Sequence, residues 1–487
     1  MRQRPIPVES DDGDYVRSKR KPAVLHLSTV RLFGHAGADA EAAYRTKAQI
    51  EAELELDPLL SSTAALLASG DITAEQLLAQ LNALVAQIAR VAAVASNQPK
   101  LTTAAQVMAS IAPQRAAVPV PVLPDAEARQ QLFAFDQHNI GKKQHLAKLL
   151  NWALHDVLAQ YNNTVVFGED VGKKGGVYGV TQHLVHAFGS NRVINTLLDE
   201  QSILGMAIGL AQQGFIAIPE IQFLAYVHNA EDQIRGEAAT LPFFSNGQYH
   251  NAMVIRIAGL ANQRGFGGHF HNDNSFAVFR DIPGVILFCP SNGYDAALLL
   301  RQAVQLAHQQ KRLVIFLEPI ALYMTRDLAT VGDGMWLRDY PSPDAPLPSL
   351  GEPAVYGDGD ELAIISYANG YYLSRQAELE LRQQQYRIRV IDLRTLVPLH
   401  IEHIVTALDG CRKVLIVDEC RRRGSLSEEL FTALHEAKPG QYQVQRLCAE
   451  DSFIPLGAAA YTVLPSKQQI VQQALVMLGV QVNEVVK

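Results

Sequence analysis

Thr164-Val-Val-Phe167 is a short, β-branched apolar run, and it opens a series. Phe215-Ile-Ala-Ile218, Met253-Val-Ile-Arg-Ile257, Val285-Ile-Leu-Phe288 and Leu313-Val-Ile-Phe-Leu317 follow it, with helical patterns between them. Short β-rich runs alternating with helices predict a mostly parallel sheet covered by helices. A second series starts after a Pro- and Gly-rich stretch around residues 341–359: Leu362-Ala-Ile-Ile365, Ile388-Arg-Val-Ile391 and Val414-Leu-Ile-Val417. It predicts a second α/β domain.

Ahead of these series the chain reads differently. Ala23-Val-Leu-His-Leu-Ser-Thr-Val-Arg31 is apolar-rich and predicts one strand. Thr73-x-x-Gln76 reads as a capping box, after which Leu77, Leu81, Leu84, Ile88 and Val91 recur at spacings of four and three. Such spacing puts one apolar stripe on an otherwise polar, alanine-rich helix, a packing surface suited to a partner chain. Pro113, Pro119, Pro121 and Pro124 then interrupt regular structure and mark a linker.

An apolar content of 48%, a charged content of 19% and a net charge of −7 describe a globular chain with no attraction to nucleic acid or anionic membrane. Cys289, Cys411, Cys420 and Cys448 show no close C-x-x-C pairing, so neither a disulfide framework nor a zinc site is indicated, and a reducing cytoplasm fits. The most apolar long window, Ile203 to Ile218, is broken by Gln212 and Gln213, and the amino terminus is charged without an apolar signal region. The expectation is neither secretion nor membrane insertion.

Phe167-Gly-Glu-Asp-Val-Gly-Lys-Lys-Gly-Gly-Val-Tyr178, Asn195-Thr-Leu-Leu-Asp-Glu200-Gln, Glu220-Ile-Gln-Phe223, Asp392-Leu-Arg-Thr-Leu-Val-Pro398 and Val417-Asp-Glu419 stand in this order. Together they resemble the beta subunit of thiamine-diphosphate-dependent 2-oxo acid dehydrogenases, over both its pyrimidine-binding and its transketolase-like carboxy-terminal domain. Arg31-Leu-Phe-Gly-His35-Ala-Gly-Ala-Asp39 with Tyr44-Arg45 resembles the family's alpha-subunit loop over the cofactor diphosphate. The resemblance implies a mostly helical alpha-subunit remnant and linker over residues 1–125, a pyrimidine-binding domain over 140–330 and a transketolase-like carboxy-terminal domain over 345–487. It looks like a fused chain lacking the amino-terminal part of alpha. Gly332-Asp-Gly334 and Gly357-Asp-Gly359 are not followed by an Asn pair at the family's spacing and read as turns, and Asn162-Asn163 has no such motif upstream. No metal ligand is therefore assigned to this chain, and the Mg²⁺ and diphosphate site is expected on another polypeptide.

The family's chemistry requires a carboxylic acid that hydrogen-bonds the aminopyrimidine ring, so that the cofactor's own imino group can remove its C2 proton. The resemblance implies Glu200 for that acid; burial at a strand-to-helix turn is expected to raise its pKa. An ordinary acid in a first helical turn is the bland alternative. Tyr226 is implied as an aromatic face on the same ring and Leu198 as apolar wall. In Gly267-Gly-His-Phe-His271-Asn-Asp, His271 matches the channel histidine that binds the substrate carboxylate or incoming lipoyl group. Here the family's His-Ser-Gln-Ser becomes His271-Asn-Asp-Asn274, and His269 is a second candidate.

His35 is implied in acyl transfer, and Ala36 replaces the neighbouring phosphorylatable serine, which excludes phosphoregulation there. Arg31 and Arg45 orient the loop or meet phosphate, or are plain surface charges. Glu169 and Asp170 are read as holding loops, not as a catalytic pair. Arg421-Arg-Arg423 reads as a solvated loop, or as a dock for the acyltransferase.

The implied function is oxidative decarboxylation of a 2-oxo acid with acyl transfer to lipoyl-lysine of a dihydrolipoyl acyltransferase. Gly175-Gly-Val-Tyr178, Ile221-Gln-Phe223 and Phe316-Leu-Glu-Pro319 look most like the branched-chain members, placing the reaction in branched-chain amino acid catabolism. Pyruvate and acetoin are the alternatives within the class. A catalytically silent assembly subunit and a transketolase relative are the rivals outside it. The family suggests a dimer or heterotetramer.

Overall fold

The computed structural model describes residues 11–21, 24, 26–116, 118–260 and 267–481. The chain divides into two compact units, Met1–Leu101 and Thr102–Lys487.

The first unit is helical among its described residues, with Asp11–Lys19, Lys47–Leu54, Pro58–Ser69 and Ala74–Ser96 as its α-helices. Their starts follow local chemistry. Thr46 and Thr73 each form a capping box, with Gln49 and Gln76, and Asp57 accepts from the Leu59 N–H just ahead of Pro58. Each cap satisfies backbone donors that the first turn leaves without partners. Of the strand expected over residues 23–31, residues 23 and 25 lie outside the described set, and the described residues 24 and 26–31 join no ladder.

The apolar stripe on Ala74–Ser96 is present and solvent-facing, with Leu81, Leu84, Ile88 and Val91 all more than half exposed. Leu78, Val85 and Val94 widen it. Among the described residues this helix alone is long and apolar enough to cross a membrane, by length and composition. The apolar window Ile203 to Ile218 folds partly as the helix Glu200–Gln212 and partly as a strand.

Among its described residues the second unit carries twelve strands: β1 (Thr164–Gly168), β2 (Val193–Asn195), β3 (Ile216–Ile221), β4 (Met253–Gly259), β5 (Ile286–Phe288), β6 (Leu313–Pro319), β7 (Ala354–Tyr356), β8 (Leu362–Ser366), β9 (Ile388–Asp392), β10 (Thr395–Val397), β11 (Lys413–Arg421) and β12 (Gln443–Ala449). The first sheet runs β10-β5-β6-β4-β3-β1-β2 and the second β12-β11-β8-β9-β7. Among these described strands, β10 against β5 and β7 against β9 are the antiparallel pairs. The central strands are buried on both faces, which is why they are mostly apolar.

The two sheets are not separate modules. β10, from Asp392-Leu-Arg-Thr-Leu-Val-Pro398, leaves the carboxy-terminal half to pair with β5 of the first sheet, and one apolar core runs from Phe167 and Ile255 to Ile391 and Leu430. The proline segment forms no helix or strand among residues 113–116 and 118–125; it is strapped to this unit, with Gln160 donating to the Pro121 carbonyl and Gln309 to that of Val118.

Inside the first sheet lies one charge cluster. Arg256 of β4 is about 1% exposed and reaches Glu318 of β6 through Nε (2.7 Å) and Nη2 (2.9 Å), and Glu220 of β3 through Nη1 (2.5 Å). The Tyr323 hydroxyl also donates to Glu318. Burial pushes the Glu220 carboxyl up, against the pull of Arg256. The cluster ties β3 to β4 and β6 just ahead of the Gln222–Tyr226 segment.

Candidate active site

In open α/β sheets, ligands sit outside the carboxyl ends of the strands. Four loops meet there: those after β1 (Glu169), β2 (Glu200), β3 (Tyr226) and β4 (His271).

Asp199 caps the helix Glu200–Gln212 by accepting from the Ser202 N–H at 2.9 Å, which fixes Glu200 as its first residue. Glu200 is only 5% exposed. Asn229 Nδ2 donates to Glu200 Oε2 at 2.5 Å, and Gln201 Nε2 donates to the Asn229 carbonyl at 2.7 Å. Asn229 belongs to the 3-10 segment Leu224–Ala230, which also carries Tyr226.

Tyr226 Oη and His271 Nε2 are 3.2 Å apart, and Phe223 packs edge-on against both rings, at 5.4 Å from Tyr226 and 4.8 Å from His271. His269 is exposed, its ring lying 4.0 Å from Phe270 and 5.3 Å from Phe453. Burial, then Glu200 and Asp170, push the Glu169 carboxyl up. Burial, then Glu169 and Glu200, do the same to the Tyr226 hydroxyl. Glu200, Tyr226, His271 and Glu169 thus share one acidic, aromatic-lined corner. Glu169 has a stronger tie to this corner than its reading as a loop holder implied, whereas Asp170 does hold a loop, accepting from Lys174 and Gln222.

Leu198 is 68% exposed and Leu197 87%, because β2 is the edge strand of its sheet and nothing among the described residues covers the loop after it. Leu198 forms no apolar wall in the chain by itself.

His35 belongs to the first unit, in a loop built locally. Asp39 accepts from the His35 backbone N–H at 2.7 Å and from the Tyr44 hydroxyl at 3.1 Å, with Arg31 3.9 Å away. The His35 N–H foremost, then Tyr44 and Arg31, hold the Asp39 carboxyl below its usual range. A side chain at Gly34 would meet the Asp39 carbonyl at 2.8 Å, so the loop needs glycine there. Arg45 pairs with Glu41 and Glu53.

Gly332-Asp-Gly334 is a turn: Asp333 accepts four backbone N–H groups, from Leu328, Ala329, Thr330 and Met335. Gly359 lies so close to Arg387 and Ile388 that a Cβ would collide with their backbone at 2.4 Å. Among the described residues no three His, Cys, Asp or Glu side chains gather as metal ligands.

Of Arg421-Arg-Arg423, Arg422 and Arg423 are exposed, as a solvated loop would be, and Arg421 is half-buried. It donates to Ser275 Oγ at 2.9 Å and to the Ser452 carbonyl at 3.1 Å, facing the His271 loop, whereas Arg423 is exposed. Asn229, His228 and Asp273 escaped the sequence reading. The departure His271-Asn-Asp-Asn274 was the one signal pointing to Asp273.

Three family descriptions match the chain: Dehydrogenase E1 component over residues 13–104, Transketolase pyrimidine binding domain over 142–325 and Transketolase C-terminal domain over 351–470. The chain belongs to the thiamine-diphosphate-dependent 2-oxo acid dehydrogenase family, with an alpha-like segment fused to a beta part. The pyruvate dehydrogenase E1 component subunit beta of Staphylococcus epidermidis is 31% identical over 336 residues, spanning 68% of this chain and 97% of that protein. Its counterpart in Staphylococcus aureus is 30% identical over the same shares. A solved structure titled "Split gene transketolase, inactive beta4 tetramer" shares the fold, with a TM-score of 0.54 at 18% identity over 69% of this chain and 99% of that one.

Proposed function

We propose that this chain, with a second polypeptide supplying the diphosphate-binding domain and its Mg²⁺ ligands, decarboxylates a branched-chain 2-oxo acid and passes the acyl group to lipoyl-lysine of a dihydrolipoyl acyltransferase. The observation that carries the reading is Glu200: a buried carboxyl at the carboxyl end of a parallel sheet, its Oε2 held by Asn229. Asn229 is its one hydrogen-bond partner among the described residues, which leaves Oε1 to meet a ring nitrogen. The corner fits the pyrimidine half of the cofactor, since an acid and aromatic faces are the groups an aminopyrimidine calls for.

Thiamine diphosphate, when bound, supplies the electron sink that decarboxylation needs. Glu200 holds and exchanges a proton at the pyrimidine ring. Tyr226 and Phe223 offer aromatic surface and keep water from it. His271, aligned by Tyr226, presents a donor for the substrate carboxylate. His35 takes part in the acyl transfer, a role supported by the match of the Arg31–Arg45 segment to the family loop.

The branched-chain assignment is supported by Gly175-Gly-Val-Tyr178, Ile221-Gln-Phe223 and Phe316-Leu-Glu-Pro319, of which the Tyr178 and Phe223 rings lie 6.4 Å apart. Pyruvate is the second reading, favoured by the names of the Staphylococcus relatives. Four free cysteines suit the cytoplasm as the chain's location. The test is decarboxylation of 3-methyl-2-oxobutanoate and pyruvate, and carbon–carbon cleavage of acetoin, by the chain alone and mixed with candidate partners bearing the diphosphate motif. Turnover of the branched acid in a mixture supports the reading; preference for pyruvate moves the substrate assignment. Absence of turnover with every partner supports a silent assembly subunit.

A further inference from the structure

The loop bearing His271 returns toward the sheet through residues 267–276, and its anchors lie just beyond the histidine. Leu260 N–H donates to the Asp273 carbonyl at 3.1 Å, at the end of β4. The Asp273 carboxylate, only 8% exposed as a residue, accepts from its own neighbour Ser275 through Oγ (2.8 Å) and N–H (3.2 Å). It then faces two cations from different parts of the fold. His228 Nε2 lies 3.6 Å from Oδ2, and Arg421 Nη2 lies 3.7 Å from Oδ1.

His228 stands on the Leu224–Ala230 segment, between Tyr226, which touches His271, and Asn229, which holds Glu200. Arg421 ends β11 in the carboxy-terminal half, where Asn274 Nδ2 also donates to the Glu419 carbonyl at 2.6 Å and the Cys420 thiol donates to the Asn274 carbonyl at 3.2 Å.

We propose that Asp273 is a positioning residue of this site: by bridging His228 and Arg421 it joins the His271 loop to the Tyr226–Asn229 segment and to the carboxy-terminal half, and so sets the place of the His271 imidazole against Tyr226. The consequence for catalysis rests on the function proposed above; the bridge itself does not.

The electrostatics agree with the geometry. Burial opposes ionisation of Asp273, yet His228, Ser275 and Arg421 together hold its carboxyl below the usual range. Asp273 holds the His228 imidazole above its ordinary value against partial burial, with Glu231 on the same segment, 3.7 Å from Nδ1, adding to the effect. The groups facing the pair are thus Glu231, Ser275 and Arg421. As pH rises through the raised His228 pKa, the bridge loses one of its two cations.

The test uses the full chain in solution, with Asp273→Asn, which keeps the side chain's size, and His228→Gln, at a side chain 41% exposed. Histidine resonances followed against pH give the His228 midpoint, and amide exchange reads residues 267–276 against the helix Glu200–Gln212. Asp273→Asn is expected to lower the His228 midpoint, and both variants to speed exchange in the loop on the order of tenfold while the helix is unchanged. Unchanged loop exchange in both variants, or an unmoved His228 midpoint in Asp273→Asn, would overturn the proposal. With an active partner mixture, Asp273→Asn is expected to raise KM for the 2-oxo acid more than it lowers kcat. If no mixture turns over, the function reading fails while midpoint and exchange still decide the bridge.

Discussion

Asn229 Nδ2 donates to Glu200 Oε2 at 2.5 Å, and Gln201 Nε2 donates to the Asn229 carbonyl at 2.7 Å, so the first turn of Glu200–Gln212 and the segment after β3 are latched in both directions. The latch holds a carboxyl at the one place where the sheet's loops converge.

Replacing Asn229 by alanine removes the only described donor to that carboxylate. A hydrogen bond contributes about 1 kcal/mol net, so the loss in stability is small. The loss in decarboxylation rate is expected to be larger than that figure converts to, because Glu200 is then free to rotate. Denaturant midpoints and steady-state rates on one preparation check this; a variant with wild-type rate contradicts the positioning role.

Arg256 is different in kind. It is buried between Glu220 and Glu318, and Arg256→Met leaves two carboxylates in the sheet without their cation. Breaking a buried pair costs about 3–5 kcal/mol. Urea unfolding is expected to show a lower midpoint or no folded protein, and Glu220→Gln with Glu318→Gln in the same chain to restore part of it. A midpoint within experimental spread of wild type would show that the cluster contributes nothing.

Two buried carboxyls give stability a pH slope. Burial, then Asp295, pushes Asp392 up to about 8, and burial pushes Glu419 up to about 8. Between the ordinary carboxylate range and pH 8 the folded state keeps these protons and the unfolded chain does not. Stability therefore falls as pH rises, by up to about 1.4 kcal/mol per pH unit for each group. Asp392→Asn is expected to flatten the slope between pH 5 and pH 8 by roughly half, measured as unfolding free energy against pH. An unchanged slope would show that Asp392 is ionised in the folded protein.

The central strands were legible because strands buried on both faces are mostly apolar, as Met253–Gly259 and Leu313–Pro319 are apart from Arg256 and Glu318. The edges were not. β2 has three residues, and β12 (Gln443–Ala449) is half-buried along most of its length, so its apolar signal is diluted. β10 was hidden because its motif reads as part of the second series yet pairs with the first sheet. Within the site, Glu200, Tyr226 and His271 were found by motif. Asn229 was not, since it meets Glu200 across 29 residues, and neither was Asp273, whose partners come from two other segments. Leu198 carries no signal of its own, since any leucine beside a motif reads as wall, and only the sheet order reveals that β2 is an edge.

The most direct test of the central claim is the rate of 3-methyl-2-oxobutanoate decarboxylation by wild-type and Glu200→Gln chains, each mixed with the diphosphate-site partner and Mg²⁺-thiamine diphosphate, with cofactor binding followed by calorimetry. Turnover by the wild type, with a loss on the order of a hundredfold or more in Glu200→Gln while the cofactor still binds, is the result this account predicts. A Glu200→Gln chain that turns over at the wild-type rate would contradict it.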